Sequence, residues 1–426
     1  MSATAGHAAR AGFLARWINP AVLRRNVDII AVLTAASLPW STSATGILGG
    51  LLFVAVVATL DAGDFLRSLR RPISSLPLGL VLLAIVGTLW SDASWGARLY
   101  AISPTAKLLM LPLLLYHFER SERGHWVFNA FLISSILLMC VSWAVAFHPE
   151  WTMKPNGNSR GIFVKDYIDQ SQEFTLCAVA LAYPILQLLR AGRIGQAVFL
   201  SLVALSLVAN MVFVVVARVT FVTLPALLAV FAALHLKWRT TILIAVGGIV
   251  LVVLGWVASP ELQWRTASLT KEYRLYMERG EATSIGMRLE FWRKSLSFVA
   301  EAPIIGHGTG STRGLFERAV QGSEAMAAGQ VIGNPHNQTL NVAVQWGIVG
   351  VIVLHAMWIA HLLLFRGEGA VAWIGLAVVL QNFVSSLFNS HLFDFHAGWI
   401  YVLGVGVAGG RMLKARRDGR DAGVGW

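Results

Sequence analysis

Apolar runs recur along this chain near 27–39, 47–60, 76–90, 99–116, 126–147, 174–189, 197–216, 219–236, 241–258, 347–365, 370–388 and 397–409. This recurrence constrains the fold more than any other feature. A water-soluble domain would have to bury all twelve runs behind a charged surface. With 56% of 426 residues hydrophobic and only 13% charged, the surface needed for that is missing. The expected solvent is therefore a bilayer, and the expected fold class is an all-α polytopic membrane protein with about twelve transmembrane helices. Several runs fall short of the roughly 20 residues of a spanning helix, so their ends must extend into flanking polar positions. The two cysteines, Cys140 and Cys177, both lie in apolar runs, which excludes a disulfide-stapled secreted fold.

The stretch from 197 to 236 sets a length test. Forty residues of helix at about 1.5 Å each would reach about 60 Å, twice the hydrocarbon thickness. It must fold as a hairpin, with Arg218 near the tip in Val-Ala-Arg-Val-Thr. An arginine at membrane depth costs roughly 2.5–3.5 kcal/mol on insertion scales, so it must reach an interface or face a polar cavity.

Charge placement gives orientation. Nineteen basic residues, among them Arg24, Arg67, Arg120, Arg190, Lys237, Arg366 and Lys414, fall on one side of alternating spans. Five fall in the short loops opposite: Arg98, Lys154, Arg160, Lys165 and Arg218. The richer side is the cytoplasmic one, so both termini are expected there, with the stretch before the first run acting as an uncleaved signal-anchor. The net charge of +12 thereby becomes topological, which removes the argument for a nucleic-acid partner. The expected organisation is membrane helices 1–9 over 1–258, a large loop domain over 259–345, helices 10–12 over 346–410 and a basic tail over 411–426. The loop domain holds nine Lys/Arg and eight Asp/Glu, and helical spacing at 273–279 and 288–298 predicts a helical cap on the non-cytoplasmic face.

Within that loop and beside it lie the residues suited to chemistry. His336, in Gly-Asn-Pro-His-Asn-Gln, is suited to a helix cap by spacing alone; its imidazole is also suited to accept a hydroxyl proton near neutral pH. Arg288 opens an amphipathic helix and has Glu290 or Glu281 as local pairing options, but its planar fork also fits phosphate oxygens. Gly306-His-Gly-Thr-Gly-Ser-Thr-Arg313 lacks the lysine of a P-loop and reads as a flexible turn. Gly157-Asn-Ser-Arg-Gly161 matches G-x-S-x-G only formally, without a preceding strand. His391-Leu-Phe-Asp-Phe-His396 offers two imidazoles and a carboxylate but no D-x-D companion; Asp394 is equally placed to orient a base or pair with an arginine. Lys107 is the one cation expected inside a span.

Together these residues resemble the O-antigen ligase and O-antigen polymerase superfamily. The most specific part is His336-Asn337, nine residues, then Gly347-Ile-Val-Gly350. Ala217-Arg218-Val-Thr, Arg288 with Trp292, His391-Leu-Phe-Asp394 and, more weakly, Arg160-Gly-Ile-Phe163 add to it, as do the twelve spans and the one large loop. The resemblance implies an inverting, metal-independent glycosyltransferase of the bacterial inner membrane with its site facing the periplasm and no cofactor. It implies a glycan donor on undecaprenyl diphosphate and, for a ligase, a sugar hydroxyl of lipid A-core as acceptor. It assigns His336 as base, Arg218, Arg288 and Arg160 to the donor diphosphate, and Asn337 and Asp394 as supporting residues. A polymerase joining lipid-linked repeat units is the nearest alternative, and the moderate 148–173 loop favours the ligase. A protein-glycosylating relative would be expected to carry an extra soluble domain. A lipid-linked sugar transporter or flippase is the alternative from another class, for which two similar halves and midplane charges would be expected.

Overall fold

The computed structural model describes residues 20–154, 161–215, 217–258, 260–320 and 326–419. Every long element in them is a helix. In chain order they are α1 (Pro20–Ser37), α2 (Thr42–Val57), α3 (Ala62–Ser68), α4 (Pro72–Val86), α5 (Trp95–Ala106), α6 (Met110–Phe118), α7 (Gly124–Phe147), α8 (Tyr167–Ala180) and α9 (Ala182–Arg190). Then follow α10 (Ile194–Phe213), α11 (Thr220–His235), α12 (Trp238–Ala258), α13 (Pro260–Arg279), α14 (Ser284–Glu301), α15 (Thr312–Arg318), α16 (Gln338–Leu364), α17 (Ala370–Ser385) and α18 (Phe395–Arg417). The β-pairing among the described residues is a lone bridge between Glu281 and Met326.

Six helical segments are long and apolar enough to cross a membrane, and a seventh arises if α2 and α3, bent by 113°, count as one. This is fewer than the twelve runs in the sequence, for physical reasons. Helices α11 and α17, of 16 residues each, are short for a full crossing. Helix α18 is long, but its glycines, His396 and Arg411 dilute its hydropathy. The run at 99–116 is a composite: α5 and α6 are joined by a single 3-10 turn at Lys107–Leu109 into a span of 24 residues. The molecule is a membrane protein, with side chains such as Ile47, Leu99, Phe199 and Ile352 presented outward in number.

Outward apolar faces leave the inside to be packed by shape. Helix α18 lies along α6, and a Cβ on Gly406 or Gly410 would meet Leu114 or Phe118 at 2.6 Å, so small residues set how close the two helices come. Trp346, Trp373, Tyr401 and Phe118 are fully buried in this core. The hairpin expected at 197–236 is present as α10 and α11, with Arg218 in the connection between them.

The long connection is helical, as its spacing predicts, and it docks on α16. Phe291 and Phe298 of α14 and Leu315 and Phe316 of α15 pack with Val344 of α16 in a separate apolar cluster. The turn at 303–310 then enters α16 itself. Gly347 has φ 59°, a left-handed conformation that breaks the helix, and a Cβ there would sit 2.3 Å from the Ile304 carbonyl oxygen. Around the break, hydrogen bonds are exchanged rather than lost. Ile348 and Val349 donate to Pro303 and Ile304 carbonyls at 2.9 and 3.3 Å, while His307 and Gly308 donate to the freed Val344 and Gln345 carbonyls at 2.9 Å each. Thr309 completes the staple, donating through Oγ1 to the Ala84 carbonyl at 2.7 Å and accepting from Trp346 Nε1 at 2.9 Å. The glycine-rich segment is therefore a largely buried turn stapled by hydrogen bonds at 306–310, not the flexible one expected from composition.

Candidate active site

Asn337 caps α16, its Oδ1 accepting from Leu340 N at 3.0 Å while its Nδ2 donates to the Leu387 carbonyl at 3.1 Å. The cap fixes the residue before it. His336 has φ 54°, the one non-glycine residue with positive φ among the described residues. Its backbone N–H donates to Asn334 Oδ1 at 3.0 Å, and Ser390 Oγ donates to the same oxygen at 2.7 Å. The turn therefore ties the start of α16 to the loop that follows α17. Because α17 returns antiparallel to α16, that loop delivers Asn389, Ser390 and Asp394 to His336.

The hydrogen-bond chain there has one consistent direction. Asp394 as a carboxylate can only accept, so the contact of 2.9 Å from Asn389 to Asp394 Oδ2 must come from the Asn389 amide nitrogen. The Asn389 carbonyl oxygen then faces His336 Nδ1 at 2.9 Å and requires a proton on that nitrogen. Nε2 is left with its lone pair, the form a general base needs. Phe291 lies over the ring at 6.1 Å between centroids, tilted by 29°. Burial holds the His336 pKa below the ordinary histidine value; the Asn389 hydrogen bond opposes this and the Arg288 charge adds to it. The imidazole is thus neutral at pH 7. Burial pushes Asp394 up to about 6, against the pull of Lys107, so it is mostly ionised at pH 7. Lys107 does not snorkel: its Nζ donates to the Phe393 and Asp394 carbonyls at 2.8 and 2.7 Å and pins the loop from below.

Two arginines belong to the same electrostatic neighbourhood. Arg288 lies below the usual arginine range, first through burial, then through the like charge of Arg218, with Tyr167 and Glu272 opposing. Its charge is also felt at His336 and at His391, which burial holds at about 4. Neither carboxylate expected beside Arg288 pairs with it. Glu290 binds Arg293 at 2.6 Å and Glu281 lies 3.7 Å from Arg279. Arg288 makes no hydrogen bond or ion pair among the described residues. Arg218 donates to Glu272 Oε1 at 2.9 Å, and the other oxygen of that carboxylate accepts from Ile285 N at the start of α14. A half-buried guanidinium with no hydrogen-bonded or ion-paired partner among the described residues, next to a second one, has donors free for an anion.

Arg160 lies outside the described residues. The segment after it, Gly161–Phe163, packs beside the Arg218 connection, with Ser142 Oγ donating to the Gly161 carbonyl at 2.6 Å and Ile162 clustered with Val214 and Val215. His391 and His396 do not converge on one point. His391 Nε2 lies 3.3 Å from Gln172 Nε2, whereas His396 Nδ1 is paired with Asp169 at 2.7 Å. Among the described residues no group of three His, Cys, Asp or Glu side chains is arranged to hold a metal ion. Asn334, Asn389, Phe291 and Glu272 are site residues that sequence reasoning did not single out. The polar run Asn389-Ser-His between two apolar spans was the available signal.

A protein of Haemophilus influenzae described as uncharacterized is 26% identical over 143 residues, an alignment spanning 32% of this chain and 36% of that relative. Residues 201–355 match a family model described as O-antigen ligase, a stretch that contains Arg218, Arg288, His336 and Asn337 and ends before Asn389 and Asp394. That match, over the hairpin, loop helix and capped turn just described, supports placing the chain in the O-antigen ligase/polymerase superfamily.

Proposed function

We propose that this protein is an inverting O-antigen ligase that moves a glycan from undecaprenyl diphosphate to a sugar hydroxyl of lipid A-core. The observation that carries this reading is the pairing of a base-ready His336 with an unpartnered Arg288 in one electrostatic neighbourhood. The acceptor oxygen attacks the anomeric carbon as His336 Nε2 takes its proton. The anomeric C–O bond breaks, and the electron pair leaves with the lipid diphosphate. Arg288 and Arg218 bind that diphosphate and neutralise the charge it gains, with Arg160 joining them; Glu272 holds Arg218 until the donor arrives. Donors preset where charge develops are worth most in a water-poor site, and two or three guanidiniums can supply what a divalent cation supplies elsewhere. Asn389 and Asp394 fix the His336 tautomer, and Asn337 fixes its turn.

The protein is read as crossing the inner membrane twelve times, with the short helices α11 and α17 extended by their polar ends. Both termini lie in the cytoplasm and α13–α15 form a periplasmic cap over the His336 turn. The moderate 148–173 connection supports ligase over polymerase. The test is reconstitution of purified protein with undecaprenyl-diphosphate glycan and lipid A-core in EDTA. Glycan-core product is expected. Elongated lipid-linked glycan without core product would make it a polymerase. Loss of product in EDTA, restored by a divalent cation, would refute the arginine clamp.

A further inference from the structure

A large cavity among the described residues plays no part in the site above. It encloses about 590 Å³ between α9, α11, the end of α16 and the first half of α17. Helix α16 starts beside His336 and runs away from it, so this cavity lies at the opposite end of the bundle. Its walls are apolar, with Val230, Ile359, Leu362, Leu376 and Leu380 among them. Arg190, Arg366 and Glu368, all exposed, lie at its mouth. Ala372 and Leu380, both lining it, are eight residues of helix apart, a length of about 12 Å, close to one leaflet's share of the hydrocarbon.

The rim is arranged for an anion. Arg190 Nη2 donates to the His235 carbonyl at 3.0 Å, which holds its guanidinium at the mouth. Arg366 makes no side-chain hydrogen bond or ion pair among the described residues. Glu368 offsets one of the two positive charges, and its side chain pairs with neither arginine among the described residues. The His235 ring is stacked on Phe231 at 4.8 Å and lies edge-on to Trp373, so it forms wall more than rim. Two guanidiniums over an apolar shaft match a phosphate over an acyl chain. A free anion would leave the shaft unfilled, and an uncharged lipid would leave Arg366 unpartnered.

We infer that this cavity binds one anionic phospholipid from the leaflet at that end of the bundle, its phosphate held by Arg190 and Arg366 and an acyl chain between α11, α16 and α17. Basic pockets between membrane helices recognise anionic headgroups in this way. The occupant would also brace α11, whose first turn follows Arg218.

Native mass spectrometry of the detergent-purified full chain, titrated with phosphatidylglycerol or phosphatidylcholine, tests this. One phosphatidylglycerol should be retained at least tenfold more tightly than phosphatidylcholine. The R190Q/R366Q double variant should lose that preference, while R67Q/R70Q, at the same end but outside the cavity, should keep it. Leu376→Trp, which fills the shaft and leaves the charges, should lose retention of both lipids. Equal retention of the two lipids by the wild-type chain would overturn the proposal, as would an unchanged preference in R190Q/R366Q. Displacement of phosphatidylglycerol by millimolar inorganic phosphate would reduce the site to a simple anion pocket and overturn the lipid assignment.

Discussion

His336 draws its proposed role from three neighbours, and each has a separable effect. Asn389 sets the tautomer, Asp394 sets Asn389, and Arg288 adds to the burial that keeps the ring neutral. Since the His336 pKa is lowered, the base is available above a value below about 6.5, and the acid limb of transfer should lie there, not at the ordinary histidine value. Removing the carboxylate makes the imidazolium harder to form. Asp394→Asn should therefore move that limb further down in pH while lowering the maximal rate, which a pH–rate profile reads directly; a limb that moves up would contradict the chain. Asn389→Ala should cut kcat by roughly tenfold to a thousandfold with little change in donor KM, because it misorients a base without touching the donor. Arg288→Ala should instead raise donor KM as well. The proposed base and arginines were singled out through the resemblance: spacing alone suited His336 to a helix cap and Arg288 to an amphipathic helix face, and only Arg218, a cation in a hairpin tip, stood out by itself. Asn389 was not, since an amide acts here only through geometry that two distant segments create together.

At the scale of elements, α16 shows how a sequence boundary and a structural one can both be right. The apolar run at 347–365 starts where Gly347 breaks the helix, and the nine residues before it, Gln338–Trp346, form a separate first piece with Asn341 and Gln345 turned to polar partners. Hydropathy finds the second piece; the first reads as loop because Gln338, Asn341 and Gln345 interrupt its apolar residues. The break needs a left-handed residue with no Cβ beside Ile304, so Gly347→Ala should destabilise the protein by roughly 1–3 kcal/mol or more and lower its thermal midpoint in detergent. An unchanged midpoint would mean the turn at 303–310 does not hold the kink. The same logic explains why Gly306–Gly310 read as flexible: glycines permit a tight turn, but whether it is loose or stapled is decided by Gln345, Trp346 and Ala84, far away in sequence.

For the whole molecule, the sequence's apolar runs give the class of fold and its charge asymmetry gives an orientation, while the meeting of α14, α16 and the loop after α17 emerges only in three dimensions. The orientation is open to a direct check. In a Cys140→Ser/Cys177→Ser background, Lys271→Cys should react with a membrane-impermeant maleimide in intact spheroplasts, and Lys237→Cys only after permeabilisation; the reverse pattern would place the His336 turn in the cytoplasm. The central claim is that His336 acts on the acceptor and not on the donor. The measurement that tests it most directly is donor binding and single-turnover glycan transfer in the same preparations of wild-type and His336→Ala protein. The account predicts that the variant binds undecaprenyl-diphosphate glycan with wild-type affinity and transfers it at least a hundredfold more slowly. Transfer at the wild-type rate would contradict it.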